Sequence, residues 1–203
     1  EYTRDVIKIG SEGKLKAISK YGVGLDKIDL KAAEEFGIPV TNCPGVNHVT
    51  VAEHVLALIL TYYKNIHLEY NVTKAGGWHR HIGRELSGKK LGILGLGKIG
   101  KQLAVITSGI GMKIVAHDVF LDREYCISNS IEVAQSVEKL VEDIDILSLH
   151  LPLTTESEGM INSEVLDHAR NKITIVNTSR ALIIDQQSLY KALENTNIEA
   201  YLV

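Results

Sequence analysis

Apolar and polar positions alternate in blocks along the second half of the chain, from Lys90 onward. Short apolar runs, typical of strands buried on both faces, are separated by amphipathic segments with helical spacing. The apolar runs predict six strands, at about 91–95, 113–118, 131–134, 146–150, 173–178 and 199–203. The amphipathic segments predict helices near 98–109, 136–144, 162–170 and 185–195. This alternation predicts an α/β fold with a doubly wound parallel sheet.

The residues up to position 48 carry a smaller pattern of the same kind. Short apolar runs predict strands at 15–19 and 38–41, with a helix at 29–36 between them. Thr50 and Glu53 have the spacing of a capping box, and they predict the start of a long apolar helix that runs to about Ile66. Because that helix is apolar on most of its circumference, we expect it to be buried between domains or subunits.

Composition and charge narrow the choice of partners. The chain has 203 residues, of which 45% are hydrophobic and 23% charged, a balance typical of globular proteins. The net charge is −3 and the basic residues are dispersed, so we expect no nucleic-acid or acidic-membrane partner. The longest apolar stretch, 55–60, is too short to span a bilayer. Cys43 and Cys126 are isolated and the histidines lack ligand spacing, so we expect a reduced, cytoplasmic protein without a metal site.

A glycine-rich turn, Gly95-Leu96-Gly97-Lys98-Ile99-Gly100, follows the first of the six strands. Gly95 permits a tight turn, Gly97 lets the backbone approach a pyrophosphate, and Gly100 lets the next helix pack closely on the sheet. The helix N-terminus then faces the phosphates with unpaired N–H groups. Asp118 ends the next strand, where a carboxylate accepts hydrogen bonds from an adenosine ribose and repels a 2′-phosphate. The sequence therefore predicts a Rossmann domain that binds NAD rather than NADP.

Two more strand ends carry polar residues, and each leaves two interpretations open. Arg180 follows the fifth strand, where its guanidinium could bind the carboxylate of a 2-oxo acid and polarise the neighbouring carbonyl; a surface ion pair is the alternative. His150 ends the fourth strand, where it could act as a general acid or, as the following Pro152 favours, line the cofactor or support the structure. In the smaller pattern, the glycines of Tyr21–Asp26 could form an anion nest for a carboxylate or an ordinary turn.

Five motifs resemble, in their order along the chain, those of the D-isomer-specific 2-hydroxyacid dehydrogenases. They are Tyr21-Gly22-Val23-Gly24-Leu25-Asp26-Lys27-Ile28-Asp29, Val51-Ala52-Glu53-His54, Leu86-Ser87-Gly88-Lys89 with the glycine turn, His150-Leu151-Pro152-Leu153-Thr154 and Asn177-Thr178-Ser179-Arg180. Together they extend over nearly the whole chain, and they are most similar to the phosphoglycerate-oxidising branch. The resemblance implies an NAD-dependent oxidoreductase that interconverts a D-2-hydroxy acid and its 2-oxo acid, with 3-phosphoglycerate as a candidate substrate.

The resemblance also implies roles for domains and individual residues. Residues 1–48 would be part of a flavodoxin-like substrate-binding domain, and residues 49–203 the NAD-binding Rossmann domain with the interdomain helix. Homodimers would form through the cofactor domain. Arg180 would be the catalytic arginine, and Val23 and Gly24 would contact the substrate. The implied cofactor contacts are Lys98 and Ile99 at the pyrophosphate, Asp118 at the ribose, and His150, Leu151, Pro152, Thr178 and Ser179 along the lining.

Two features separate this chain from the family pattern. Where the family has a glycine after the catalytic arginine, this chain has Ala181; if the position needs a positive φ, alanine would strain the turn by about 1 kcal/mol. The Glu and His that the family uses for proton transfer are expected beyond Val203, as in a fragment of a longer protein. A second hypothesis is therefore that the chain alone is a cofactor-binding, dimerising module without turnover. A redox-sensing transcriptional partner of the same fold is a third.

Overall fold

The computed structural model describes residues 1–195 and 198–203. The chain divides into two compact units, Glu1–His48 and Val49–Val203. Each unit has a parallel sheet of its own, and each is described by itself below.

The first unit is a small α/β arrangement around one parallel pair of strands. Its elements are helix α1 (Arg4–Glu12), strand β1 (Ile18–Ser19), helix α2 (Leu30–Glu35) and strand β2 (Val40–Thr41). Ile18 pairs with Val40, and Asp29 caps α2 by accepting a hydrogen bond from the Ala32 amide at 2.9 Å. The strands are shorter than predicted. Helix α1 was not predicted; it buries a single residue, Ile7.

The second unit contains a parallel sheet with helices on both faces, which confirms the predicted doubly wound fold. Among the described residues the sheet has six strands in the order β5-β4-β3-β6-β7-β8, with all neighbours parallel. The strands are β3 (Lys90–Leu94), β4 (Lys113–His117), β5 (Glu132–Val133), β6 (Ile146–Leu149), β7 (Ile173–Asn177) and β8 (Ile198–Leu202). The helices are α3 (His48–Tyr63), α4 (Ile66–Lys74), α5 (Lys98–Ser108), α6 (Arg123–Ser128), α7 (Val137–Val141), α8 (Ser163–Leu166) and α9 (Gln186–Glu194), and a 3₁₀ turn covers Ala181–Ile183.

The strand order fixes where a ligand can bind. Strand β3 lies between β4 and β6. Strands β4 and β5 are added on one side of β3 and strands β6 to β8 on the other, so the order of the strands reverses at this point. In open α/β sheets a crevice forms beyond the carboxyl ends of the strands that flank such a reversal. Two apolar cores fill the faces of the sheet: α3 and α5 contribute to one, and α7, α8 and α9 contribute to the other. The carboxyl ends of β3, β4, β6 and β7 therefore form the edge at which the predicted site residues lie.

Helix α3 begins earlier than the sequence pattern predicted. It starts at His48, so Thr50 lies inside the helix and the predicted capping box is wrong. The His48 ring instead pairs, through Nδ1, with the Gly45 carbonyl one turn earlier, at 2.8 Å. The buried face of α3 consists of Ala52, Val55, Ile59 and Tyr63. These side chains pack within the second unit, against the core beneath the sheet.

Candidate functional site

Two of the three glycines in the turn between β3 and α5 lie where a side chain would clash with the backbone, and the third lies in open space. Gly95 has φ +98°, and a Cβ there would lie 2.7 Å from the His150 carbonyl oxygen. A Cβ on Gly100 would overlap the Gly95 carbonyl oxygen. Gly97, the N-cap of α5, is different, since a Cβ there would meet nothing within 4 Å. Gly97 thus leaves open space at the N-terminus of a helix of 11 residues, where unpaired N–H groups can bind an anion such as a diphosphate.

Asp118 is fixed against this turn by two backbone amides. Its Oδ2 accepts a hydrogen bond from the Leu96 N–H at 2.6 Å, and its Oδ1 accepts one from the Phe120 N–H at 2.8 Å. The side chain is partly buried at the end of β4. Because two carboxylate oxygens offer about four acceptor positions, two remain for the hydroxyls of a ribose. The structure thus places the predicted acid next to the glycine turn, and its role at the ribose stays a prediction.

Two buried polar atoms lie at the ends of the next strands. Leu149 of β6 pairs with Asn177 of β7, so His150 and Thr178 follow these register partners at the same edge of the sheet. His150 Nε2 is 2.9 Å from the Ser148 hydroxyl, whereas its Nδ1 has no hydrogen-bond partner among the described residues. Thr178 Oγ1 is likewise buried and unpartnered within the described part of the chain. Buried polar atoms normally find partners, so both are suited to contact a bound cofactor.

Burial also decides the charge of His150. Loss of solvation lowers the pKa of its ring from 6.5 to about 4, so the imidazole is neutral at physiological pH. A group that carries its extra proton only below about pH 4 is poorly matched to general-acid catalysis near pH 7. Burial thus argues against the general-acid interpretation of His150, and its role in lining the cofactor or supporting the structure stays a prediction.

The stability of the protein should therefore depend on His150 between pH 7 and pH 5. The unfolded chain takes up a proton near pH 6.5 and the folded chain only near pH 4, so in this interval the unfolded state binds more protons and stability falls as the pH falls. We expect His150 alone to lower the free energy of unfolding by about 2 kcal/mol between pH 7 and pH 5. Urea unfolding of the unmodified and His150→Asn proteins at both pH values measures this difference. A pKa of His150 above 6, measured by NMR in the folded protein, would contradict it.

Arg180 follows β7 and is partly buried. Its Nη1 donates a hydrogen bond to the Ser179 carbonyl at 3.0 Å. The next residue, Ala181, begins the 3₁₀ turn, and among the described residues only Asn65 and Ser130 are non-glycine residues with positive φ. The strain considered for an alanine at this position therefore does not arise, because the turn here does not use the left-handed conformation.

The backbone on both sides of Arg180 is contacted by Asn177, a residue to which the sequence pattern assigned no role of its own. The Asn177 side chain is 6% exposed; its Oδ1 accepts from the Ser179 N–H at 3.0 Å, and its Nδ2 donates to the Arg180 carbonyl at 3.0 Å. The same Nδ2 donates to the Tyr201 hydroxyl on β8 at 3.2 Å. The Ser179 hydroxyl donates to the Leu149 carbonyl at 2.6 Å. Asn177, a polar residue at the end of a buried strand, is the one signal of this network in the sequence.

The other residues predicted to bind cofactor or substrate are divided between the two units. Lys98 is exposed and Ile99 partly buried in the first turn of α5, and Leu151 and Pro152 follow His150. Val23 and Gly24 belong to the first unit, where the Asn42 side chain donates to the Val23 carbonyl at 2.8 Å. Their role in substrate binding stays a prediction.

No group of three or more His, Cys, Asp or Glu side chains that could hold a metal ion occurs in residues 1–195 and 198–203. In the same stretches no helix has the length and apolar character needed to cross a membrane.

Comparison with known proteins gives a consistent result. Residues 56–203 match the family model described as D-isomer specific 2-hydroxyacid dehydrogenase, NAD binding domain. The chain is 38% identical to a D-3-phosphoglycerate dehydrogenase of Methanocaldococcus jannaschii, over 98% of this chain and 38% of that protein. It is 37% identical to a glyoxylate reductase of Korarchaeum cryptofilum, over 89% of this chain and 56% of that protein. A solved structure of Aquifex aeolicus D-lactate dehydrogenase, complexed with NAD and lactic acid, superposes with a TM-score of 0.86 at 30% identity, over 98% and 60% of the two chains.

Proposed function

Because the chain belongs to the D-isomer specific 2-hydroxyacid dehydrogenase family, we propose that its parent protein interconverts a D-2-hydroxy acid and the corresponding 2-oxo acid with NAD. The observation that carries this proposal is the glycine turn, which is open at Gly97 and bordered by Asp118. The chain spans 38% of the length of the Methanocaldococcus jannaschii relative, so the activity proposed is that of the whole protein.

The residues at the sheet edge fit an NAD molecule. The diphosphate would lie on the amides at the start of α5, beside Gly97. The hydroxyls of the adenosine ribose would donate hydrogen bonds to the Asp118 carboxylate. His150 Nδ1 and Thr178 Oγ1 would gain the polar partners that they lack within the described chain. When bound, NAD supplies the hydride-transfer chemistry, and the protein supplies position and electric field.

Arg180 would bind and orient the substrate. A guanidinium presents a planar pair of donors to a carboxylate and keeps its positive charge at any working pH. Placed at the carboxyl end of β7, it would hold the acid group and stabilise negative charge that develops on the adjacent carbonyl oxygen as the 2-oxo acid is reduced. His150, neutral through burial, would line the cofactor and donate no proton of catalytic consequence.

For the substrate, we propose 3-phosphoglycerate and its 2-oxo form. This choice is supported by the similarity to a D-3-phosphoglycerate dehydrogenase, at 38% identity. The glyoxylate reductase, at 37% identity, is named for a smaller acid, so smaller 2-oxo acids are the alternative substrates to test. The test is consumption of NADH by the full-length protein with 3-phosphohydroxypyruvate, hydroxypyruvate, glyoxylate and pyruvate in turn. We expect the phosphorylated acid to be reduced with the highest kcat/KM, and NADPH to replace NADH only with at least about a hundredfold loss. Absence of turnover with every acid would refute the proposal.

A competing proposal concerns the chain taken alone, which would bind NADH without turnover. It rests on the expectation, drawn from the resemblance to the family, that the Glu and His of the proton-transfer pair are not among the residues of this chain. The 203-residue chain and the full-length protein, assayed side by side, distinguish the two cases. Equal rates per site would refute the inactive module, and NADH binding without turnover by the short chain would support it.

We further propose that a second copy of the chain covers helix α4 and the segment that follows it. Helix α4 has no buried residue, and Tyr70, Trp78 and Ile82 are 62%, 85% and 94% exposed. The segment is nevertheless fixed, because Glu69 Oε1 accepts the His81 N–H at 2.5 Å. A fixed, exposed apolar surface is typical of a subunit contact. Trp78→Ser should shift the protein from dimer toward monomer in sedimentation velocity experiments, and a monomeric unmodified protein would contradict the proposal.

A further inference from the structure

One buried side-chain amide holds the backbone on both sides of Arg180. We propose that Asn177 is a positioning residue, which sets the direction of the Arg180 guanidinium and couples it to Tyr201 on strand β8. The proposal rests on the function proposed above, because it assigns Arg180 to the substrate carboxylate.

The hydrogen bonds of Asn177 determine the orientation of its amide. The oxygen accepts the Ser179 N–H at 3.0 Å, and the nitrogen donates to the Arg180 carbonyl at 3.0 Å. A rotated amide would place its nitrogen against the Ser179 N–H and its oxygen against the Arg180 carbonyl, which is repulsive at both ends. The side chain is thus specified as asparagine rather than aspartate, because both a donor and an acceptor are needed at this place.

Tyr201 gives this amide a second fixed point. It pairs with Ile175 in the register between β7 and β8, so its side chain shares a face of the sheet with Asn177, two residues further along β7. Its hydroxyl accepts the remaining Asn177 N–H at 3.2 Å. A buried polar group whose hydrogen bonds are all made holds one geometry.

The Arg180 carbonyl is held from two directions. It accepts from Asn177 Nδ2 and from the Ile183 amide, at 3.2 Å, which closes the 3₁₀ turn. On the other side, the Ser179 hydroxyl donates to the Leu149 carbonyl at the end of β6. With the backbone fixed before and after it, the arginine side chain loses less freedom when it binds a carboxylate. Preorganisation of this kind strengthens binding and catalysis without any contact to the substrate.

The test compares three variants of the full-length protein. Asn177→Asp keeps the size and the acceptor oxygen but removes both donors, and Tyr201→Phe removes only the hydroxyl. Asn162→Asp is the matched control, because the Asn162 side chain caps α8 through its oxygen alone, which accepts the Val165 N–H at 3.1 Å. The readout is the ratio of kcat/KM for a 2-oxo acid to that for the corresponding neutral 2-oxo amide. A merely structural loss of folded protein lowers both values equally and leaves the ratio unchanged.

We expect the ratio to fall about tenfold in Asn177→Asp and about threefold in Tyr201→Phe, because a misdirected guanidinium loses its preference for the carboxylate. In Asn162→Asp it should stay within about twofold of the unmodified value. Unchanged ratios in both Asn177→Asp and Tyr201→Phe would overturn the proposal. If Asn177→Asp fails to fold, Tyr201→Phe alone decides the outcome.

Failure of the proposed function is detected separately, as an unmodified protein that reduces no 2-oxo acid. The positioning role is then decided by hydrogen exchange of the Ile183 amide, which depends on the Arg180 carbonyl and not on any substrate. Exchange that is about tenfold faster in Asn177→Asp than in the unmodified protein would support the role. An unchanged rate would refute it.

Discussion

Replacing Arg180 with Gln is expected to lower kcat/KM for 2-oxo acids about a thousandfold, or by about 4 kcal/mol of transition-state stabilisation. Glutamine keeps hydrogen-bonding capacity but loses the positive charge and the paired N–H donors that match a carboxylate. The affinity for NADH should change little, because the proposed cofactor contacts lie at α5, Asp118 and the strand ends. Steady-state kinetics with the full-length protein, together with NADH titration, separate the two effects.

The control for this substitution is Arg170→Gln. Arg170 belongs to the same unit and forms an ion pair with Glu142 at 3.4 Å, but its side chain is 70% exposed. Exposed pairs contribute little, so kcat/KM should be unchanged. Arg180→Lys should lie between the unmodified protein and Arg180→Gln, since it keeps the charge without the planar fork. Activity of Arg180→Gln within about tenfold of the unmodified protein would remove Arg180 from the substrate site.

Gly97→Asp is expected to abolish NADH binding while it leaves the fold intact. Gly97 is the N-cap of α5 with φ −74° and ψ −161°, an extended conformation that any residue adopts, and a Cβ there meets nothing within 4 Å. Aspartate is a better N-cap than glycine, so thermal stability should be equal or slightly higher. Its carboxylate would stand where the diphosphate is proposed to dock, and we expect the Kd for NADH to rise at least about a hundredfold, which corresponds to about 3 kcal/mol.

The contrasting substitution is Gly100→Ala. Here the added Cβ overlaps the backbone oxygen of Gly95 and lies 3.1 Å from Ile93 Cγ2, so the turn itself has to move. We expect the free energy of unfolding without cofactor to fall by about 2 kcal/mol. Chemical denaturation of both variants, combined with fluorescence titration of NADH, distinguishes a blocked site from a damaged fold. NADH binding by Gly97→Asp at the unmodified affinity would place the diphosphate elsewhere.

The strands were predictable because burial on both faces makes most of their residues apolar; in β6 and β7 only Ser148, Thr174 and Asn177 are polar. All four residues of β6 and all five of β7 are buried, and such runs have few alternatives in a globular chain. Helices α1, α4 and α6 were missed for the opposite reason. They bury Ile7, no residue and Cys126, respectively, so each contributes at most one residue to the buried core.

Some features of the candidate site could be predicted from the sequence, and others needed the structure. The glycine turn, Asp118 and Arg180 were visible in the sequence because each is a single residue type at a fixed distance from a strand. The hydrogen bond from Asn177 to Tyr201 and the contact from Asp118 to the Leu96 amide were not visible, since they depend on which strands become neighbours. The low pKa of His150 also needed the structure, because it arises from burial rather than from a neighbouring residue in the chain.

The hydrogen bond from the Leu96 amide to Asp118 bears on any attempt to engineer this protein toward NADP. Replacing the acid by a small apolar residue removes the repulsion of a 2′-phosphate, but it also leaves the Leu96 N–H without its acceptor and loosens the loop that cradles both coenzymes. A successful redesign would need an asparagine or serine at this position to retain the anchor, with a new cation introduced on a neighbouring residue. If Asp118 binds the ribose as proposed, coenzyme choice and the anchoring of the glycine turn depend on the same carboxylate, and engineering has to change them together.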